Sequence, residues 1–202
     1  MKVSDPKECY LEIAARQFAA LGYHGVSLAA LAAEAGVSKQ ALLHFFGSKE
    51  RLYGEVLSRL AGRLLAEIDA TEGHDAADRL VSYFDRHADS VISGGDDARL
   101  VVRALLDSDP SARNWPMKAY LDRLTDIAQK TPRWRDERRE AALAGIYAVI
   151  GAMQYAAISD AALTGMFGKA AQSAIRRHSA EEIRRAARAF VGGFSQSSSR
   201  AM

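Results

Sequence analysis

Residues 27–49, SLAALAAEAGVSKQALLHFFGSK, carry the most informative spacing in the chain. Two short apolar-periodic runs flank Ala35-Gly36-Val37-Ser38. Gly36 can take the left-handed backbone of a tight turn, Val37 can plug the gap between two helices, and Ser38 can cap the second one. Leu28, Leu31 and Ala32 then face inward from the first helix and Leu42 from the second, which is the grammar of a helix-turn-helix. Such a unit suits duplex DNA. A helix fits the major groove, its N-terminal residues reach base edges, and its first backbone amides favour phosphate oxygens.

Other chemistry finds little support. His24, His44, His74, His87 and His178 are dispersed, and no His/Asp/Glu spacing argues for a metal. Cys9 stands alone, so an intrachain disulfide framework and a several-thiolate zinc site are excluded, and it reads as a small buried or half-buried filler. No nucleophile–base–acid spacing or phosphate loop is visible, and no cofactor is implied.

These residues need helices to hold them. The chain has four prolines, none between Lys7 and Asp109, and periods of three and four dominate. Asp5, Pro6 and Glu8 start a first helix whose face runs Tyr10, Ile13, Ala14, Phe18 and Leu21, and Gly22 ends it. Ser27 caps Leu28–Ala35, Ser38 caps Lys39–Phe46, and Ser48 caps a long helix from Lys49 to about Ala70. Further helices are expected at Ala76–Ile92, Asp97–Asp107, Ser111–Lys130, Asp136–Ser159 and Ala180–Gly193. Ser93-Gly94-Gly95, Ser108-Asp109-Pro110 and Thr131-Pro132 connect them. Asp160–His178 is ambiguous, Ser179 and Glu182 form a capping box for the last helix, and Ser195–Met202 is a frayed tail.

The ordered series resembles the TetR family of bacterial transcriptional regulators. It comprises Ile13-Ala14-Ala15, Phe18, Gly22-Tyr23, Gly25, Ser27, Leu31-Ala32, Ala35-Gly36-Val37-Ser38, Leu42, His44-Phe45-Phe46 and Ser48-Lys49-Glu50. The resemblance covers about the first quarter of the chain. It implies that Lys39, Gln40 and Ala41, following Ser38, face bases, Lys39 toward guanine and Gln40 toward adenine. His44 and Phe45 approach the sugar–phosphate backbone, with a structural role as the lesser alternative for His44. Ser27 and Lys49 stand at helix starts that meet phosphates. Leu43 replaces the family's usual tyrosine, so a phosphate-contacting hydroxyl is lost there, and Gly47 stands where proline or a polar residue is common.

The fold expected is all-α: a three-helix helix-turn-helix headpiece over residues 1–54, then a helical ligand-binding and dimerisation domain over residues 55–202. In that second part Leu80, Phe84 and His87 share one helix face, and Leu100, Ala104 and Leu105 another. A pocket between helices is expected from Leu80, Phe84, His87, Leu105, Trp115, Tyr120, Leu124, Tyr147 and Gln154. Ala141–Ile158 is apolar on most sides, so it should be buried on more than one. Leu143, Ile146, Ile150 and Met153, with Ile183, Ala187, Phe190 and Val191 of the last helix, are expected to form a four-helix dimer seam, as TetR-like proteins do.

Composition fits this outline. The chain has 202 residues, 49% hydrophobic and 26% charged, with a net charge of +2. Met1–Arg63 holds eight basic and six acidic residues, so the whole excess sits in the segment with the motif. That excludes an indiscriminate polyanion binder and leaves room for a specific one. The apolar run Ala141–Ile158 is interrupted by Gly145, Gly151 and Gln154, and residues 1–5 do not read as a leader. The expectation is a soluble cytoplasmic homodimer, with no membrane partner, that binds palindromic operator DNA, most simply as a repressor, and is released by a small-molecule effector. A helical enzyme or a helical protein-interaction module remain the alternatives.

Overall fold

A computed structural model of the chain describes residues 5–92, 95–107 and 116–192. Among the described residues every regular element is a helix: α1 Pro6–Gly25, α2 Leu28–Glu34, α3 Lys39–Phe46, α4 Lys49–Asp69, α5 Ala76–Ile92, α6 Asp96–Leu106, α7 Lys118–Ala128, α8 Arg139–Ile158 and α9 Asp160–Gly192. They group into two compact units. Unit 1 holds residues 1–63 and 95–118, and unit 2 holds residues 64–94 and 119–202.

Unit 1 is built on α1. Asp5 accepts the Lys7 amide at 3.0 Å, and Pro6 starts the helix. At Gly22 the backbone leaves helical geometry (φ 72°), so the chain turns there, as its glycine suggests, before a last stretch to Gly25. Phe18, Leu31, Leu42, Leu52 and Tyr53 are the fully buried centre, with the Phe18 and Tyr53 rings 4.7 Å apart. Each such side chain contributes about 1.5–3 kcal/mol by leaving water. Two expectations for α1 need correction. Leu21 is exposed and Leu11 is buried in its place, because the face presented to α2 and α6 is rotated from the expected stripe. Cys9 is exposed rather than a core filler.

The helix α6 also belongs to unit 1, packed on α1 through buried Ala98, Leu100 and Ala104. Its Arg103 reaches the end of α1's first segment, donating to the carbonyl oxygens of Ala19 at 2.8 Å and Ala20 at 2.6 Å. A cation there satisfies carbonyls that a helix end leaves unpaired.

Unit 2 packs α5 on α8 and α9, and α8 on α9. Leu80, Phe84, Leu124, Ile146, Met153 and Ala187 are completely buried in it. Gly145 lets α8 approach α9 closely: a Cβ there would lie 2.5 Å from the Phe190 ring. The Trp134 indole donates to the Phe190 carbonyl at 2.7 Å, closing the same corner. The helix α9 extends well before the expected start at Ala180. Its backbone departs from helical geometry only at Gly168 (φ 82°), and Ser179 lies inside a continuous helix rather than at a cap. The Ala- and Arg-rich run after Gly168 has strong helix propensity and no proline to stop it.

By length and composition α8 could cross a membrane, with a mean hydropathy of 1.6 over its best window. Ala142, Ile146 and Met153 of this helix nevertheless pack into the core of unit 2, as a core helix does.

Candidate nucleic-acid interface

The turn between α2 and α3 closes by main-chain bonds. The Gly36 amide donates to the Ala33 carbonyl at 3.2 Å and the Val37 amide to the Ala32 carbonyl at 2.9 Å. This paired closure needs a left-handed residue at its centre, and Gly36 has φ 69°. Ser38 then caps α3, its hydroxyl oxygen accepting the Ala41 amide at 3.1 Å. Ser27 does the same for α2, accepting the Ala30 amide at 3.3 Å.

The eight residues of α3 divide by face. Leu42 and Phe46 are buried and hold the helix down. Lys39, Gln40 and His44 are exposed along the outer side, with Ala41 and Leu43 half-buried beside them. No acidic residue lies on α3. The one acid between Ser27 and Lys49 is Glu34, and it is engaged from α1: Arg16 donates to it at 2.9 Å and Gln17 at 2.6 Å. The outer face therefore presents donors and positive charge, with the Glu34 carboxylate tied back to α1.

Two expected contact residues have additional work. The Phe45 ring stands edge-on to Tyr10 of α1 at 5.3 Å, so the partly exposed Phe45 also braces α3. The Lys49 ammonium lies 4.5 Å from the centre of the Tyr23 ring, a cation–π contact that holds it in place. Beside it, the Ser48 hydroxyl, the backbone amide of Glu50 itself and the Tyr23 hydroxyl hold the Glu50 carboxyl below its ordinary pKa. Tyr10 and Tyr23 were not singled out in the sequence as supports. Their signal was their position on α1, one and two helical segments away from the motif.

Residues 11–56, from inside α1 into α4, match the family model for bacterial regulatory proteins of the tetR family. The HTH-type transcriptional regulator RutR of Escherichia coli K12 is 43% identical over 68 residues, 34% of this chain and 32% of RutR. Residues 11–56 are therefore similar to the DNA-binding segment of TetR-family regulators. The RutR match spans about a third of that relative's length. The likeness to solved structures runs through both units. The fatty acid degradation regulator FadR from Bacillus halodurans aligns at a TM-score of 0.72 and 16% identity, covering 96% of this chain and 99% of that one. FadR from Bacillus subtilis, in complex with stearoyl-CoA, aligns at 0.68 and 18%, covering 91% and 97%. At these identities the likeness establishes the TetR-type fold. These relatives carry the names of regulators.

The residues expected to line a ligand pocket differ in burial. Leu80, Phe84, Tyr120 and Leu124 lie in the packed core of unit 2. His87 is half-buried, its ring stacked 5.4 Å from Tyr83, whose hydroxyl meets that of Tyr120 at 2.9 Å. Burial, with the neighbouring Tyr120 hydroxyl, pushes the Tyr83 hydroxyl pKa upward, and burial raises that of Tyr120. Tyr147 is 51% exposed and Gln154 is half-buried, both on α8. Leu105 is a correction: it is exposed and belongs to unit 1, because α6 spends its apolar stripe on α1. Trp115 lies outside the described residues, as do 193–202, 93–94 and 108–115 among the expected connections and helix ends.

The expected dimer residues need a similar correction. Ile146, Ile150, Met153, Ile183, Ala187, Phe190 and Val191 are buried inside a single chain, and Leu143 is half-buried. The seven buried ones pack within the core of one chain. The heptad stripe found the inner face of an α8 that is apolar all round. The face left outward carries Ala144, Tyr147, Ala148, Gly151, Tyr155 and Ile158, all exposed. Beside it, Ala148, Val149, Ala186 and Ala189 with Arg133 and Trp134 border a groove of about 330 Å³.

Proposed function

We propose that this protein is a transcriptional regulator of the TetR type, most simply a repressor, that reads palindromic operator DNA as a homodimer. The observation that carries the reading is the outer face of α3: Lys39, Gln40 and His44 exposed on a helix without carboxylates, anchored from behind by Leu42 and Phe46. Lys39 donates to guanine and Gln40 pairs with adenine in the major groove. Ser27, Ser38, Phe45 and Lys49 approach the backbone and fix register, with Ala41 and Leu43 against sugars or thymine methyls. The second copy joins through the outward face of α8 and α9 rather than through the buried stripe.

A small molecule held by unit 2 would lower DNA affinity by binding the two states of the dimer differently. The helix α4 runs unbroken from 49 to 69 and so links the units along the chain. Stearoyl-CoA, bound by the Bacillus subtilis neighbour, is the first effector to try.

Selection of bound sequences from random duplex DNA tests the reading. A palindrome is the expected product, and the double variant Lys39→Ala/Gln40→Ala should bind it at least about 30-fold more weakly, since each of two good base contacts is worth about 1–3 kcal/mol. Equal binding by the parent and the double variant would remove α3 as the base-reading element.

A further inference from the structure

The cations of unit 1 divide into two groups. Lys7 meets Glu55 at 2.6 Å, Arg16 meets Glu34 at 2.9 Å, Arg59 meets Glu8 at 2.7 Å and Glu12 at 3.2 Å, and Arg63 meets Asp97 at 2.6 Å. These are charges spent on holding helices together. Among the described residues of α1 to α4, Lys39, Lys49 and Arg51 meet no carboxylate; Lys49 lies over the Tyr23 ring, and the Arg51 guanidinium makes no hydrogen bond.

Arg51 stands exposed in the first turn of α4, its own amide capped by the Ser48 hydroxyl at 3.2 Å. Its side chain folds back over Gly47, the residue that ends α3. A Cβ on Gly47 would lie 3.2 Å from Arg51 Nη1 and 3.6 Å from its Cδ. Gly47 thus does two things. Its φ of 75° turns the chain out of α3, and its missing side chain seats the arginine against the end of that helix.

The placement has a scale. Eight residues of α helix span about 12 Å, close to the width of a B-DNA major groove. With Lys39 at the start of α3 among base edges, a cation at its far end stands at the groove's rim, where phosphates run. Arginine's fork of donors suits a phosphate bidentately.

We propose that Arg51 is a phosphate clamp, a further DNA-backbone contact seated by Gly47 at the far end of α3. The proposal rests on the reading of α3 as the recognition helix. An arginine near a helix C-terminus could instead serve only to complement the helix dipole, and the two roles separate by experiment.

The full chain and its R51A, R51K and K39A variants are titrated against two labelled duplexes, one of random sequence and one recovered by selection, over a range of salt. For R51A the slope of log affinity against log salt should shrink by about 0.9, the release expected for one phosphate. Affinity should fall about tenfold, and by the same factor on both duplexes. R51K should keep the slope and lose part of the affinity, and K39A should lose chiefly the preference for the selected duplex. An unchanged slope in R51A, alongside a parent that binds both duplexes, overturns the clamp; a lowered melting temperature with that unchanged slope assigns Arg51 to the helix end instead. A parent that binds neither duplex removes the regulator reading, and the clamp with it.

Discussion

Tyr53 shows how much a single buried group can set. Its side chain is 1% exposed, and its hydroxyl has no hydrogen-bond partner among the described residues. Burial, reinforced by the Asp107 charge and opposed by Arg103, pushes its pKa up to about 12. A folded-state pKa above the unfolded value near 10 means that the neutral form is what folding favours. The associated stability is whole below about pH 10 and is lost as pH rises toward 12, about 2–3 kcal/mol in all. Tyr53→Phe should be neutral or slightly stabilising at pH 7, because an unpaired buried hydroxyl contributes nothing when removed. It should also flatten part of the alkaline decline seen in denaturant midpoints between pH 9 and 12. A variant much less stable at pH 7 would mean that the hydroxyl has a partner after all. At this scale the sequence was most informative where chemistry is local. Ser27 and Ser38 cap the helices expected of them, and Gly36 has the left-handed backbone its turn requires. It was silent on Arg51 and Glu34, whose roles depend on which charges are engaged by residues far along the chain.

Two glycines at the element scale fail in different ways when substituted. Gly36 has φ 69° and open space around its missing Cβ, so Gly36→Ala suffers from backbone conformation alone, about 1–2 kcal/mol. Gly145 lies inside α8, where alanine suits the backbone, yet its Cβ would meet the Phe190 ring at 2.5 Å. Gly145→Ala should therefore cost about 1–3 kcal/mol through overpacking, and Phe190→Leu should relieve part of that. Guanidinium unfolding of the two single variants and the Gly145→Ala/Phe190→Leu pair measures both. Additivity in the pair would show that the α8–α9 contact is not the cause. The helices themselves were largely legible, because capping, glycine breaks and period-3.6 patterning act within a few residues. The assignment of α6 was not, since it turns on Arg103 reaching Ala19 and Ala20 more than eighty positions away. Likewise Ser179 resembled a cap, but a helix with strong formers on both sides runs through it.

Assembly is where α8 carries the argument at the scale of the whole molecule. Between Glu140 and Asp160 it has no charged residue, so hydrophobicity alone could not say which side faces inward. The structure assigns Ile146 and Met153 to the core and leaves Tyr147 at 51% and Tyr155 at 73% exposure on the opposite side. A contiguous uncharged face with small residues at Ala144, Ala148, Gly151 and Ala152 permits close helix approach, and a two-fold pairing would present it to its own copy. The dimer proposal then separates two sets of variants. Ala148→Glu or Gly151→Glu places an unpaired charge on the outward face and should yield a folded monomer by light scattering, with weaker binding to a palindrome than to its own parent's level and little change on a half-site. Met153→Glu places the charge in the core and should unfold unit 2, seen as lost helical circular dichroism. If Ala148→Glu stays dimeric at micromolar concentration, the seam does not include this face of α8, and the second copy must join elsewhere.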